Sequence, residues 1–130
     1  MVVEQTRPKD PKEPRDPNTL LPLKQSIFQI LLALGNGEMH GYGIMQALAE
    51  KTDGRERILP GTLYASIGRM VDDGLIEERE PPDGDASGGP RRRYYRTTEF
   101  GMAVARAESE RLRVLLDVAR SEKILTEPNR

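Results

Sequence analysis

Between Leu20 and Gly74 the apolar residues recur at helical spacing in three short stripes, and glycine or proline marks the ends of each. The first stripe runs from Leu20 to Leu34 with Leu23, Ile27, Ile30, Leu31 and Leu34 on one face, and GNGE breaks it at Gly35 and Gly37. The second opens near Gly41 in MHGYGIMQALAEK and turns Ile44 and Leu48 inward. The third, PGTLYASIGRM, has Pro60 in its first turn, where the missing N–H costs nothing, and it ends around Asp73 and Gly74. Beyond it, LIEERE (75–80) and RRRYYRTT (91–98) read as two strands of a hairpin whose long tip is the turn-forming loop PPDGDASGGP. Thr98 followed by Glu99 supplies an N-cap and an acidic first turn for a last helix running to about Leu125. The order predicts a mainly α fold with a small β-hairpin (α+β), the layout of a winged helix-turn-helix. Its parts are a proline-rich flexible tail at 1–18, the winged unit at 19–97, the long helix at 98–125 and a short tail at 126–130.

The third helix poses the functional question. Leu63, Ile67, Met70 and Val71 form its apolar stripe, while the opposite side carries Gly61, Thr62, Ala65, Gly68 and Arg69, with Tyr64 at the border. An ordinary solvated helix shows Glu and Lys there. In a helix-turn-helix the second helix of the pair enters the major groove with its N-terminal half, so its outward side must be slim, non-acidic and able to donate hydrogen bonds. The duller explanation is a close helix packing site inside the protein. Tyr42 and Tyr64 stay open between core residues with a hydroxyl at the surface and contacts to phosphate. His40 has no carboxylate or second histidine at useful spacing, and it reads as a loop residue satisfying a backbone group.

Charge is concentrated, although the net value is only −1. Residues 72–90 hold seven acids and one base, a sum of −6, whereas RRRYYR at 91–96 holds four arginines and no acid. Local fields govern phosphate binding, so Arg91, Arg92 and Arg93 are candidate contacts to the backbone or minor groove beside the third helix; the alternative is a solvated edge strand protected by charge. With no cysteine and one histidine, thiolate zinc sites, disulfides and Cys nucleophiles are absent, and neither metal nor cofactor is expected. No run is apolar enough for a membrane span and no signal peptide precedes the domain, which points to the cytoplasm. An enzyme would need paired acids or a nucleophile and base in a cleft, and none is visible.

The segments HGYGI (40–44), PGTLYASIGRM (60–70), DDGLIEE (72–78) and RRRYYRTTEFG (91–101) resemble the PadR family of bacterial transcriptional regulators, whose pattern runs HGYxI, GTLYPxLxRLxxxGLI, YYxLTxxG. The resemblance covers roughly residues 20–105. It implies a cytoplasmic repressor that binds a palindromic operator in double-stranded DNA as a homodimer and leaves it when a small-molecule effector or another signal arrives; the sequence identifies no effector, and regulation by abundance alone stays open. On the matching positions Thr62 and Tyr64 would face DNA, Tyr42 would support or touch the backbone, and the arginines at 91–93 would be wing contacts. Leu59 stands where the family often places a capping Ser, Ala65 replaces the usual Pro, Gly68 a usual polar residue and Thr97 a usual Leu. The alternative function is a winged-helix module that binds protein instead of DNA.

Two apolar surfaces lack an obvious cover. Leu21, Phe28 and Leu32 form a second stripe on the first helix, and the last helix becomes greasier towards its end, with Leu112, Leu115 and Ala119 as a short seam beside Leu116. Family members dimerise through this helix, usually against the partner's first helix, so these seven residues are the expected dimer interface.

Overall fold

The structure is a computed structural model that describes residues 15–81 and 93–126. Four α-helices and three short strands follow in the order α1 (Gln25–Leu34), β1 (Met39–His40), α2 (Gly41–Lys51), α3 (Pro60–Asp72), β2 (Ile76–Arg79), β3 (Tyr94–Thr97) and α4 (Glu99–Ser121). It is a winged helix-turn-helix fold, mainly helical with a small antiparallel sheet. The sheet has three strands and not the expected two, in the order β1-β3-β2, with Met39 opposite Tyr95 and Ile76 opposite Thr97.

The expected inward residues meet in one core. Ile30, Leu34, Ile44, Leu63, Met70 and Val104 are all but excluded from solvent, and Leu75 and Ile76 join them from the start of the wing. The helix ends are secured individually. Gly35 takes a positive φ of 52° that closes α1, and the Lys51 ammonium donates to the carbonyls of Leu32 and Ala33 at 3.2 and 2.8 Å, satisfying orphan acceptors there. His40 caps α2, its Nδ1 accepting from Gly43 N–H, which is the backbone-satisfying role its sequence context suggests. Thr98 caps α4 as expected and does more: its hydroxyl accepts from Gly101 N–H and donates to the Gly74 carbonyl at 2.6 Å, tying α4 to the end of α3.

Several boundaries differ from the sequence reading. The helix expected from Leu20 begins only at Gln25, because Pro22 cannot supply an N–H to a continuing helix; a short 3-10 turn, Pro17–Leu20, precedes it. Residues 15–18 therefore do not belong to the expected tail, whose residues 1–14 lie outside the described ones. The Arg15 guanidinium lies 4.0 Å above the Phe100 ring and donates to the Asp73 carbonyl, so it joins the chain's start to α4 and to the end of α3. Val71, expected in the buried stripe, is 38% exposed at the stripe's edge, and α4 ends at Ser121 rather than near Leu125.

One buried charge escaped the sequence reading. Glu108 on α4 is only 3% exposed and accepts two bonds from Arg111, at 2.8 and 2.9 Å. Those bonds hold its carboxyl below the usual range, against desolvation by burial, and a backbone bond from Leu23 adds to the effect. The bond from the Leu23 backbone ties the Glu108 carboxylate, and with it α4, to the segment that leads into α1.

Candidate nucleic-acid interface

The outward flank of α3 is uncovered. Gly61, Thr62, Tyr64, Ala65, Gly68 and Arg69 are all exposed, and a Cβ built on Gly61 or Gly68 meets nothing within 4 Å. Among the described residues, therefore, nothing packs closely on Gly61 or Gly68. Beneath them Leu63, Ile67 and Met70 anchor the helix in the core, so the flank is presented by a rigid element. Leu59 occupies the N-cap without a side-chain cap bond, and Pro60 at the first helical position removes one orphan donor. No acid stands in the first turn of α1, α2 or α3, whereas α4 carries Glu99 there. The acids at the far end behave differently from each other: Asp73 pairs with Arg69 across 3.8 Å, and Asp72 is exposed.

Both tyrosines left open by the sequence lie at the surface, Tyr42 at 59% and Tyr64 at 53% exposure, so neither is a core residue. Tyr64 nevertheless has an internal seat. A Cβ on Gly41 would lie 2.5 Å from its hydroxyl and 2.8 Å from its ring, so a side chain at Gly41 would have to push that ring aside. The same tyrosine lies near enough to Tyr95 for its charge to influence the Tyr95 hydroxyl, whose pKa burial pushes up and the Glu78 carboxylate raises further, with Arg93 acting in the opposite direction. The start of α2 and the middle of α3 thus adjoin through Gly41 and Tyr64.

The wing carries less free positive charge than the sequence suggests. Arg93 pairs with Glu78 at 3.2 Å and Arg96 with Glu77 at 2.9 Å, because the register of β2 against β3 sets the acidic strand beside the basic one. These pairs are exposed, so each contributes little and exchanges readily with another anion. Arg91 and Arg92 lie outside the described residues. Among the described residues no three metal-ligating side chains gather, and no helix is long and apolar enough to cross a membrane.

Of the proposed dimer residues, Leu115 and Leu116 on α4 and Leu32 on α1 are exposed, while Phe28, Leu112 and Ala119 are half-buried. Leu21 precedes α1 and packs against the chain's own core, so it does not extend the outer stripe of that helix. Three residues beside the flank, Lys24, Ser26 and Ser66, were not singled out from the sequence; they line a groove between α1 and α3 that exists only once those helices pack.

Residues 30–107 match the model of the Transcriptional regulator PadR-like family. The chain is 37% identical over 94 residues to the Transcriptional regulator Rv3488 of Mycobacterium tuberculosis, covering 72% of this chain and 78% of that protein. It is 35% identical over 74 residues to an uncharacterized protein of Lysinibacillus sphaericus, spanning 57% of this chain and 65% of that one, just under two thirds. Among solved structures, a PadR family transcription regulator from Clostridium difficile superposes with a TM-score of 0.61 at 26% identity, over 75% of this chain and 97% of the other. Bacillus subtilis PadR in complex with operator DNA shares the fold at a TM-score of 0.54 and 20% identity, over 84% of this chain and 52% of that one.

Proposed function

The chain belongs to the PadR-like family of transcriptional regulators, and from that premise we propose that it is a cytoplasmic repressor that binds operator DNA as a homodimer and is not an enzyme. The observation that carries this reading is the slim flank of α3: a helix firmly held in the core spends its most accessible side on glycine, alanine and threonine, and among the described residues nothing lies within 4 Å of a Cβ built on Gly61 or Gly68. A slim, acid-free N-terminal half is what a major groove admits. The relative from Bacillus subtilis, which has the same fold, is bound to operator DNA. Thr62, Ala65 and Gly68 meet base edges in this reading, Arg69 and Tyr64 flank them, Tyr42 touches the backbone at the start of α2, and Arg91, Arg92 and Arg93 grip the adjacent phosphates. The exposed leucines of α4 meet the partner's α1 near Leu32 and Phe28, and the half-sites lie about one turn of the duplex or a multiple apart, some 34 Å per turn.

Selection of bound duplexes from fragmented genomic DNA, followed by gel retardation, tests the reading. Binding should weaken steeply with salt as counterions are released. Replacing Arg92 and Arg93 by Ala should flatten that dependence without altering base preference, while changes at Thr62 or Ala65 should alter preference. If no duplex is retained, the protein-binding alternative takes over; if both sets of variants behave alike, the assignment of wing and recognition helix is wrong.

A further inference from the structure

Beside the bare flank runs the groove between the N-terminal end of α1 and α3. Lys24 and Ser26 stand on one side of it and Thr62, Ser66 and Arg69 on the other. None of its lining residues is acidic, in a chain that has 21 acids for 20 lysines and arginines. Its two charged lining residues, Lys24 and Arg69, are both cationic, which favours an anion there.

The polar groups are also left with capacity to spare. The hydroxyls of Ser26 and Ser66 lie 2.8 Å apart. Such a pair holds two O–H protons and uses one between its members, which leaves one donor for a third group. Ser66 is 8% exposed, so this pair forms part of a floor rather than a mobile rim. Arg69 has its ion pair with Asp73 at 3.8 Å, between side chains 68% and 38% exposed, a contact that solvent screens and another anion can replace. Lys24 is the N-cap residue of α1 without a side-chain cap bond, and Leu59 of α3 likewise makes none, so the first turns of both helices add uncapped N–H groups at the groove's ends.

We propose that this groove is a phosphate seat in which Lys24, the Ser26 and Ser66 hydroxyls and Arg69 hold one phosphodiester of the duplex whose bases face Thr62 and Ala65. The proposal rests on the DNA-binding reading above. Duplex backbone, and not a free anion, is the fitting occupant because Thr62 and Ala65 belong both to the groove and to the flank, so a strand laid along the flank continues into the groove. A contact of this kind fixes register on the duplex and carries no sequence information.

The test compares wild type, Lys24→Gln and Ser66→Ala by fluorescence anisotropy on a duplex selected by the wild-type protein and on a scrambled one, from about 50 to about 200 mM salt. Lys24→Gln should lose affinity severalfold and equally on both duplexes, with the slope of log affinity against log salt reduced by about 0.9. Ser66→Ala should weaken both by about two- to tenfold with the slope unchanged, since it removes a neutral donor. Thermal melts of both variants establish that each is folded, and Lys24→Gln replaces a surface side chain. A Lys24→Gln protein with wild-type affinity and slope overturns the seat while leaving DNA binding in place; a wild-type protein that holds no duplex overturns both. Millimolar inorganic phosphate at constant ionic strength should leave DNA affinity unchanged, and displacement of the duplex would reassign the groove to a free anion.

Discussion

Replacing Gly68 with alanine separates what α3 does for the fold from what it does for DNA. Gly68 lies inside a thirteen-residue helix, and its φ is not among the positive ones, so alanine fits the backbone without strain. A Cβ there meets nothing within 4 Å, so no clash offsets the gain in helix propensity. That gain is about 0.8 to 1 kcal/mol, most of it from restricting the unfolded chain. In a domain of about 100 residues this raises the melting temperature by roughly 4 to 8 °C, read by circular dichroism. The same methyl group projects from the flank that should press on the duplex. Losing the closest approach of helix to base edges should reduce affinity for the selected duplex about tenfold, which is about 1.4 kcal/mol, in fluorescence anisotropy. The two measurements should move in opposite directions. A stabilised variant with unchanged DNA affinity would show that duplex does not reach this part of α3. A variant with no stability gain would show that helix propensity at this position does not limit the stability of the fold.

Three other perturbations address the frame around the site. Gly101→Ala places a methyl group against the Leu75 backbone carbonyl, which cannot yield as a side chain would, and should cost about 1 to 3 kcal/mol in chemical denaturation; no loss would mean that α4 shifts freely. Glu108 has its carboxyl held below the usual range, so its contribution to stability is complete above the ordinary glutamate pKa and is lost as pH falls through the depressed value; Glu108→Gln should flatten the acidic limb of the stability profile, and an unaltered limb would refute the role of the Arg111 pair. Charged replacements at the exposed Leu115 and Leu116 should release monomers in sedimentation and lower DNA affinity, whereas a fully DNA-active monomer would contradict the dimer.

The elements legible in the sequence are those whose signal is local. The stripe of Ile27, Ile30, Leu31 and Leu34, the Pro60 entry to α3, the glycine stop at Gly35 and the Thr98 cap all depend on neighbours a few residues away. The strand β1 was missed because two residues carry no periodicity, and Met39 and His40 become a strand only when Tyr94 and Tyr95 return beside them. Glu108 was hidden by its type, since glutamate is seldom buried without a partner, although Arg111 three residues on was a readable hint. The wing's free charge was overestimated from composition, because the pairing of Glu77 and Glu78 with Arg96 and Arg93 follows from strand register. At the site, the bare flank of α3 was legible as a pattern, while Gly41 as the seat of Tyr64 and the groove between Ser26 and Ser66 are products of helix packing that no single segment announces.

The uncovered flank also bears on how proteins of this architecture diversify. Positions 62, 65 and 68 are exposed, so a duplicated gene can drift there without first losing its ability to fold, and under the proposed reading such drift would change the duplex it binds. Gly41 has less latitude, because a side chain there would run into the Tyr64 ring. Engineering a reader for a chosen promoter should therefore randomise the former positions and leave the latter alone.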